Sequence, residues 1–234
     1  MQPLPPLPAT KFGEGGESLV YEHPTNRDLL IKLFTDNGKN RAPRTGAEAA
    51  HIESLNDFQN GISYSHRQLL STNFSWPIET YGNRPGVIDA IGILRAPEDF
   101  WIDITMQSGK VNHLFLLVGY LTTDYLTRPA IKSAPFTDVS FQDRVEVALE
   151  FLYSFQVLWD LGYRFCDFKE QNFSFTLNGR PRVFIIDAES ISPPDMSTIR
   201  TPGWFAPDQL GLSMESDRSL ACLLVWRILG KDPG

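Results

Sequence analysis

A short polar stretch between a helix and a hairpin constrains the fold more than any other part of the chain. Apolar residues at helical spacing predict a helix over residues 141–161, and Gly162 closes it as a C-terminal glycine does. The stretch 167–172, Asp-Phe-Lys-Glu-Gln-Asn, follows, and two predicted strands at 173–177 and 183–186 form a hairpin after it. Together with the mostly β region predicted nearer the N-terminus, this helical second lobe predicts an α+β fold.

The hairpin delivers Asp187, so the sequence predicts that Asp167, Asn172 and Asp187 converge. One carboxylate can orient a hydroxyl and accept its proton, while an amide oxygen and a second carboxylate are hard ligands that suit Mg²⁺. Lys169 can neutralise charge on a moving phosphoryl group. A single Asp in a turn is more often a turn or cap residue. The ordered set therefore predicts a site for metal and phosphate.

Glycines and a strand-borne lysine mark the N-terminal part of the chain. Two strands are predicted at 12–21 and 29–34, and glycines in the first would let backbone amides approach phosphates closely. Lys32 lies in the apolar run of the second strand and, once buried, needs an anionic partner. The predicted phosphate-binding residues of the first strand are Gly13, Gly15, Gly16, Ser18 and Val20.

Two further strands and one helix complete a small β-rich region. A helix is predicted at 47–58, and an antiparallel pair at 76–81 and 87–94, split by Gly-Asn-Arg-Pro-Gly. The segments 100–106 and 114–121 fit either strand or short helix by periodicity alone. The predicted organisation is a proline-rich arm at 1–9, a small lobe at 10–96 and a second lobe at 97–234.

Composition excludes several classes of function. The net charge of -7 argues against a broad basic surface for DNA or RNA. Two cysteines do not suggest a disulfide framework, and no apolar stretch reaches the length of a membrane span. The N-terminus lacks the pattern of a signal peptide, and its prolines favour an extended arm. Such an arm is more often a solvated tail than a docking segment for an SH3-like partner. We expect a cytoplasmic protein without nucleic-acid or membrane partners.

These features occur in the order found in the protein kinase superfamily, which the chain resembles, especially bacterial eukaryotic-like Ser/Thr protein kinases. The resemblance rests on residues 13–20, Lys32, 167–172, Asp187 and 201–208, Thr-Pro-Gly-Trp-Phe-Ala-Pro-Asp. It implies a bilobal kinase-like fold with a small β-rich N-lobe and a truncated helical C-lobe. It also implies ATP and Mg²⁺ as cofactors and a protein substrate phosphorylated on Ser or Thr.

By this resemblance, Asp167 is the catalytic aspartate, Asn172 and Asp187 hold Mg²⁺, and Lys32 binds the α- and β-phosphates. Lys169 and Thr201 complete the catalytic set. The predicted partner of Lys32 is Glu48 or Glu53, with Glu48 preferred. The backbone from Leu94 to Ala96 is expected to meet adenine, with 119–121 as the alternative. Asp217 resembles the acidic start of a buried helix at 216–229.

Departures from the family pattern leave alternatives open. Phe165-Cys166 replaces His-Arg, so an arginine that reads a phosphorylated activation loop is missing. Asp187-Ala188-Glu189 replaces Asp-Phe-Gly and resembles small-molecule kinases of the aminoglycoside phosphotransferase type. The alternatives are such a kinase, or a nucleotide-binding pseudokinase or regulatory scaffold. After the helix at 216–229 the C-lobe is expected to be incomplete, and a partner or another segment to cover it.

Overall fold

The structure is a computed structural model that describes residues 1–36, 38–122, 129–134, 139–193 and 214–230. Its internal contacts divide the chain into two compact units, Met1–Ala96 and Pro97–Gly234. Both units mix helices with antiparallel strands, so the predicted α+β class is confirmed. The first unit is the one richer in sheet.

The first unit is built on a six-stranded antiparallel sheet. Strands β1, β2, β3, β8 and β6 lie side by side in that order, β4 pairs with the end of β3, and β5 pairs separately with β7. The antiparallel pair predicted at 76–81 and 87–94 is confirmed as β6 and β8. The strands are β1 (Gly13–Gly15), β2 (Ser18–Glu22), β3 (Leu29–Asp36), β4 (Asn40–Arg41), β5 (Arg44–Thr45), β6 (Pro77–Tyr81), β7 (Val87–Ile88) and β8 (Ala90–Leu94).

The two faces of β3 pack against different partners, because successive side chains of a strand point to opposite faces. Leu30 and Phe34 join Ala49 and Ile52 of helix α1 (Gly46–Gly61) in one buried cluster. This arrangement confirms the helix predicted at 47–58 and places it over one face of the sheet. The other face contributes to a second cluster of buried residues: Ile31, Leu33, Tyr81 and Ala90.

A second helix of this unit, α2 (Tyr64–Asn73), was not predicted. Only Leu70 is buried along its length, so the apolar periodicity that reveals most helices is weak here. The signal that the sequence does carry is Ser63, whose hydroxyl accepts the His66 N–H as an N-cap.

The proline-rich arm lies on the sheet of the first unit. Gln2 forms a parallel bridge with Tyr81 at the end of β6, and the Gly82 N–H donates to the Gln2 carbonyl at 2.9 Å. Leu4 and Leu7 pack against the second cluster. The expectation of a solvated tail is therefore wrong, because the leucines between the prolines cover an apolar face.

The second unit contains three helices and five strands among its described residues. The strands β10, β9 and β11 form one antiparallel sheet in that order, and β12 pairs with β13 as the predicted hairpin. The sequence predicted a helical lobe, whereas the unit is mixed. The elements are β9 (Trp101–Met106), β10 (Val111–Phe115), α3 (Gly119–Thr122), β11 (Ile131–Ser133), α4 (Phe141–Asp160), β12 (Phe173–Thr176), β13 (Arg182–Ile185) and α5 (Met214–Leu229).

A buried arginine ties the helices of the second unit together. Arg144 of α4 donates to the Leu121 carbonyl at 2.8 Å and to the Ile228 carbonyl, in the last turn of α5, at 2.9 Å. Carbonyls at a helix C-terminus lack intrahelical partners, so a buried guanidinium there satisfies groups that would otherwise destabilise the fold. The last turn of α5 is therefore fixed to α3 and α4.

None of the helices in the ranges that the structure describes combines the length and the apolar character that a membrane crossing requires.

Candidate functional site

The side chain of Asp167 is the centre of the polar stretch between α4 and β12. Lys169 Nζ donates to Asp167 Oδ2 at 2.8 Å, and Asn172 Nδ2 donates to the same oxygen at 2.8 Å. The Asn172 amide also donates to the Asp167 carbonyl at 3.0 Å, so it braces both the side chain and the backbone. Two donors thus fix a buried carboxylate in one orientation.

Asp187 joins this group from the end of the β12–β13 hairpin. Its backbone is left-handed, with φ of 58°, and its Oδ2 lies 3.6 Å from Lys169 Nζ. The Ile186 N–H donates to the Asn172 carbonyl at 2.9 Å, which fixes the hairpin end against the polar stretch. The structure therefore brings together Asp167, Lys169, Asn172 and Asp187, as the sequence predicted.

Buried aromatic side chains on both sides of Asp167 anchor the polar stretch in the core. Phe165 and Phe168 flank Cys166-Asp167 and are fully buried. They pack with Phe155 and Phe173, which in turn contact Phe151, and ring centroids in this cluster lie 5.1 to 6.2 Å apart. Burial of one Phe stabilises a fold by about 1.5–3 kcal/mol. Phe165 is thus part of the core.

The residue before Asp167 has an unusual backbone conformation. Cys166 has φ of +70°, a region that costs a residue with a side chain about 1–3 kcal/mol unless its surroundings hold it there. The carboxylate of Asp217, in the first turn of α5, accepts the backbone N–H groups of Phe165 and Cys166 at 3.2 Å each. It also accepts the Trp159 Nε1–H at 2.8 Å. Asp217 therefore holds the strained backbone in place.

The pKa of Asp217 is raised, because burial disfavours the charged carboxylate. The hydrogen bonds from Trp159, Cys166 and Phe165, together with the charge of Arg164, act in the opposite direction without cancelling the effect of burial. Burial thus destabilises the charged form of the same carboxylate that holds the backbone of Phe165 and Cys166 in place.

The segment after Asp187 folds back onto the polar stretch. Ala188–Ser190 is a single 3-10 turn, and the Ser190 hydroxyl donates to the Phe165 carbonyl at 2.8 Å. Arg164 and Ser192 exchange backbone hydrogen bonds of 2.9 Å. The thiol of Cys166 lies 3.4 Å from the Ser192 hydroxyl in the interior. The segment that follows Asp187 therefore packs directly against residues 164–166, which precede Asp167.

Asn172 and Asp187 have the ligand chemistry that fits Mg²⁺. Asn172 uses Nδ2 for both of its bonds to Asp167, which leaves the amide oxygen as the group able to coordinate. The Asp187 side chain is 32% exposed and can reach a ligand from solvent. Within the described residues, no three His, Cys, Asp or Glu side chains are placed to hold a metal ion alone. An ion here would complete its shell with water or phosphate oxygens.

In the first unit, Lys32 lies at the centre of the sheet. It stands opposite Val20 of β2 and Ile91 of β8, and it is only 7% exposed. Alternation along β3 puts its side chain on the same face as Leu30 and Phe34, the face covered by α1. Lys32 is therefore a buried cation on the helix-covered side of the sheet.

The glycine-rich stretch forms the β1–β2 hairpin, in which Gly13 pairs with Val20 and Gly15 with Ser18. Residues 16 and 17 make the turn between them, so the predicted phosphate-binding residues do lie in one hairpin. The Glu17 carboxylate at its tip pairs with Arg44 at 2.5 Å.

The structure places Glu48 at the start of α1 with its side chain 65% exposed and 4.0 Å from Arg44. Glu53 is also exposed on the same helix. The pairing of Lys32 with either glutamate stays a prediction.

Leu94, expected to contact adenine, donates its N–H to the Trp76 carbonyl at 3.1 Å. Any contact made by that N–H would have to replace this bond. Ala96, the other predicted contact, is buried at the end of the first unit.

Thr201 and the 201–208 segment lie outside the described residues. Sequence analysis missed three residues that the structure places around the polar stretch: Arg164, Ser190 and Arg227. Their contacts join residues far apart in the chain, and nothing in their local sequence marks them.

No protein-family model matches the chain, and a search of curated proteins finds no match.

Proposed function

We propose that the protein is a protein kinase that transfers the terminal phosphoryl group of ATP to a Ser or Thr hydroxyl of a protein substrate. The observation that carries this proposal is the position of Lys169, whose ammonium lies 2.8 Å from Asp167 and 3.6 Å from Asp187. A proton acceptor, a cation and a metal-ligand carboxylate are thereby grouped as phosphoryl transfer requires.

The order of elements supports a bilobal kinase-like fold. In the first unit, α1 follows β3 and the sheet order is β1-β2-β3-β8-β6, with the glycine-rich hairpin at one edge. In the second, α4, the polar stretch, the β12–β13 hairpin and α5 follow in sequence. The proposed N-lobe is 10–96 and the proposed C-lobe is 97–234. The anchoring of Cys166 by Asp217 supports the same assignment, because it fixes the backbone next to Asp167.

The residues of the polar stretch have separate chemical roles in this proposal. Asp167 orients the acceptor hydroxyl and takes its proton as that oxygen bonds to the terminal phosphorus and the bond to ADP breaks. Lys169 balances negative charge on the group being transferred. Lys32 binds the α- and β-phosphates. Mg²⁺ held by Asn172 and Asp187 would supply further charge neutralisation.

A second candidate is a kinase of hydroxylated small molecules. The observation that favours it is the turn Ala188–Ser190, which puts an acidic residue, Glu189, two positions after the proposed metal ligand Asp187. This order resembles that of kinases of the aminoglycoside phosphotransferase type. The two candidates differ in the acceptor and not in the chemistry at phosphorus. An acceptor competition experiment therefore separates them.

The test is phosphoryl transfer from labelled ATP with Mg²⁺, read as autophosphorylation and as transfer to a generic basic protein. Asp167→Asn keeps the size of the side chain and should lower the rate by roughly 10²- to 10⁴-fold. Asp160→Asn, on the exposed end of α4, serves as the matched control. ATP binding without any transfer would instead identify a nucleotide-binding pseudokinase or scaffold. Transfer only to small hydroxylated acceptors would favour the second candidate.

A further inference from the structure

The carboxylate of Glu170 lies next to the proposed phosphoryl-transfer residues but has no role in the transfer proposed above. Glu170 follows Lys169 in the chain and begins the 3-10 turn Glu170–Asn172. Arg227, in the last turn of α5, donates from its guanidinium to Glu170 Oε1 at 2.8 Å. The side chains are 33% and 20% exposed for Arg227 and Glu170, so solvent screens the pair only in part.

The arginine is presented by a fixed part of the unit. Its neighbour Ile228 is fully buried, and the Ile228 carbonyl accepts a hydrogen bond from Arg144 at 2.9 Å. Since Arg144 also bonds the Leu121 carbonyl, α3, α4 and the end of α5 are joined at this point. The backbone next to Arg227 is therefore held in a fixed position relative to α3 and α4.

Lys169 is the residue that an unpaired Glu170 would disturb. Its ammonium already contacts Asp167 at 2.8 Å and Asp187 at 3.6 Å. A third carboxylate on the adjacent residue would compete for the same cation and would repel the phosphates of a nucleotide. Pairing with a guanidinium removes both effects.

We propose that Arg227 is a positioning residue, which pairs with Glu170 and so keeps this carboxylate away from Lys169 in the phosphoryl-transfer site. The inference rests on the proposed function and extends it to a residue that contacts neither substrate nor metal. It assigns the end of α5 a part in setting the rate of transfer.

The first arm of the test compares Arg227→Gln with Arg180→Gln. Arg180 pairs with Glu150 at 2.5 Å elsewhere in the unit, so its variant removes an arginine–glutamate ion pair away from the site, although the Arg180 side chain is the more exposed of the two arginines. Arg227→Gln should lower kcat about 10- to 100-fold, the range expected when a reacting group is misplaced. It should also raise the KM for ATP, because the unpaired Glu170 carboxylate repels the phosphates of the nucleotide. Arg227→Lys, which keeps the charge, should restore most of kcat. Arg180→Gln should match the native chain.

The decisive variant is Glu170→Gln combined with Arg227→Gln. If Arg227 acts by restraining the Glu170 charge, removing that charge in the Arg227→Gln background should recover kcat. A double variant as slow as Arg227→Gln alone would overturn the inference while leaving the proposed function intact.

Amide hydrogen exchange gives a readout that does not depend on turnover. The Asn172 N–H bonds the Lys169 carbonyl and the Ile186 N–H bonds the Asn172 carbonyl, both at 2.9 Å. Both amides should exchange faster in Arg227→Gln than in Arg180→Gln. If the native chain transfers no more phosphate than Asp167→Asn, the proposed function fails, and exchange decides the role of Arg227. Equal exchange in the two variants overturns that role.

Discussion

The carboxylate of Asp217 accepts the backbone N–H of Cys166 at 3.2 Å and holds that residue at φ of +70°. The two residues are far apart in the sequence, yet the contact joins the first turn of α5 to the residue immediately before Asp167. A buried acid thus maintains a strained backbone at the centre of the proposed site.

Asp217 should make stability depend on pH. Burial raises the pKa of its carboxyl, so the folded chain binds that proton more tightly than the unfolded chain does. The stabilisation is complete below the unfolded pKa of about 3.9 and is lost as pH rises through the higher folded value. Asp217→Asn cannot titrate. The excess stability of the native chain over this variant should therefore shrink as pH rises from about 4.

Urea unfolding of both proteins at a series of pH values measures this difference. Asp160→Asn, on the exposed end of α4, is the matched control. A difference between native and Asp217→Asn that grows with rising pH would show that the hydrogen bonds to the carboxylate outweigh its burial.

Asp187→Asn should separate metal binding from folding. Asn tolerates left-handed backbone as well as Asp does, so the φ of 58° adds little strain in the variant. Replacing a proposed Mg²⁺ ligand should weaken Mg²⁺-dependent ATP binding at least as much as the roughly tenfold seen when an outer-shell partner is lost. Calorimetric titration with and without Mg²⁺ measures the effect. Unchanged Mg²⁺-dependent affinity would remove Asp187 from the site.

Gly162→Ala should destabilise the second unit by about 1–2 kcal/mol, the cost of left-handed backbone for a residue with Cβ. Gly162 has φ of +79°, and its N–H donates to the Trp159 carbonyl at 2.9 Å to end α4. No atom would touch the added methyl group, so the cost comes from the backbone alone. Gly61→Ala is the control, since Gly61 also has open space but no positive φ. Equal unfolding midpoints for the two variants would contradict this account.

The leucines of the arm should contribute measurably to the stability of the first unit. Replacing Leu4 and Leu7 together by Ala removes half-buried methyl groups from the cluster around Tyr81 and should cost about 1–2 kcal/mol. Gln2→Ala, which leaves the backbone bridge in place, should cost much less. Denaturant unfolding of the three proteins tests the difference, and a silent double variant would show that the arm does not stabilise the sheet.

Sequence reasoning succeeded where chemistry and periodicity are local. The helix predicted at 141–161 is observed at Phe141–Asp160, because its apolar residues recur at helical spacing and Gly162 ends it. The four polar residues of the site could be predicted for a related reason. Three lie within one turn of chain and the hairpin fixes the fourth, Asp187, beside them.

Contacts across long stretches of sequence could not be predicted. Nothing in the apolar run of α5 shows that Arg227 reaches Glu170 or that Asp217 reaches Cys166, since each pairing depends on how α5 packs. The helix α2 escaped because its apolar stripe is nearly absent. The arm was misjudged because a run of prolines indicates an extended chain without indicating what its leucines cover.

The parallel bridge between Gln2 and Tyr81 also bears on how separate molecules meet. β6 lies at the margin of its sheet, and an unpaired margin presents backbone groups that another chain can extend. The arm occupies part of that margin and shields the apolar side chains behind it. A chain shortened by its first nine residues would therefore self-associate more readily than the native chain, through sheet-to-sheet addition rather than through loss of the fold.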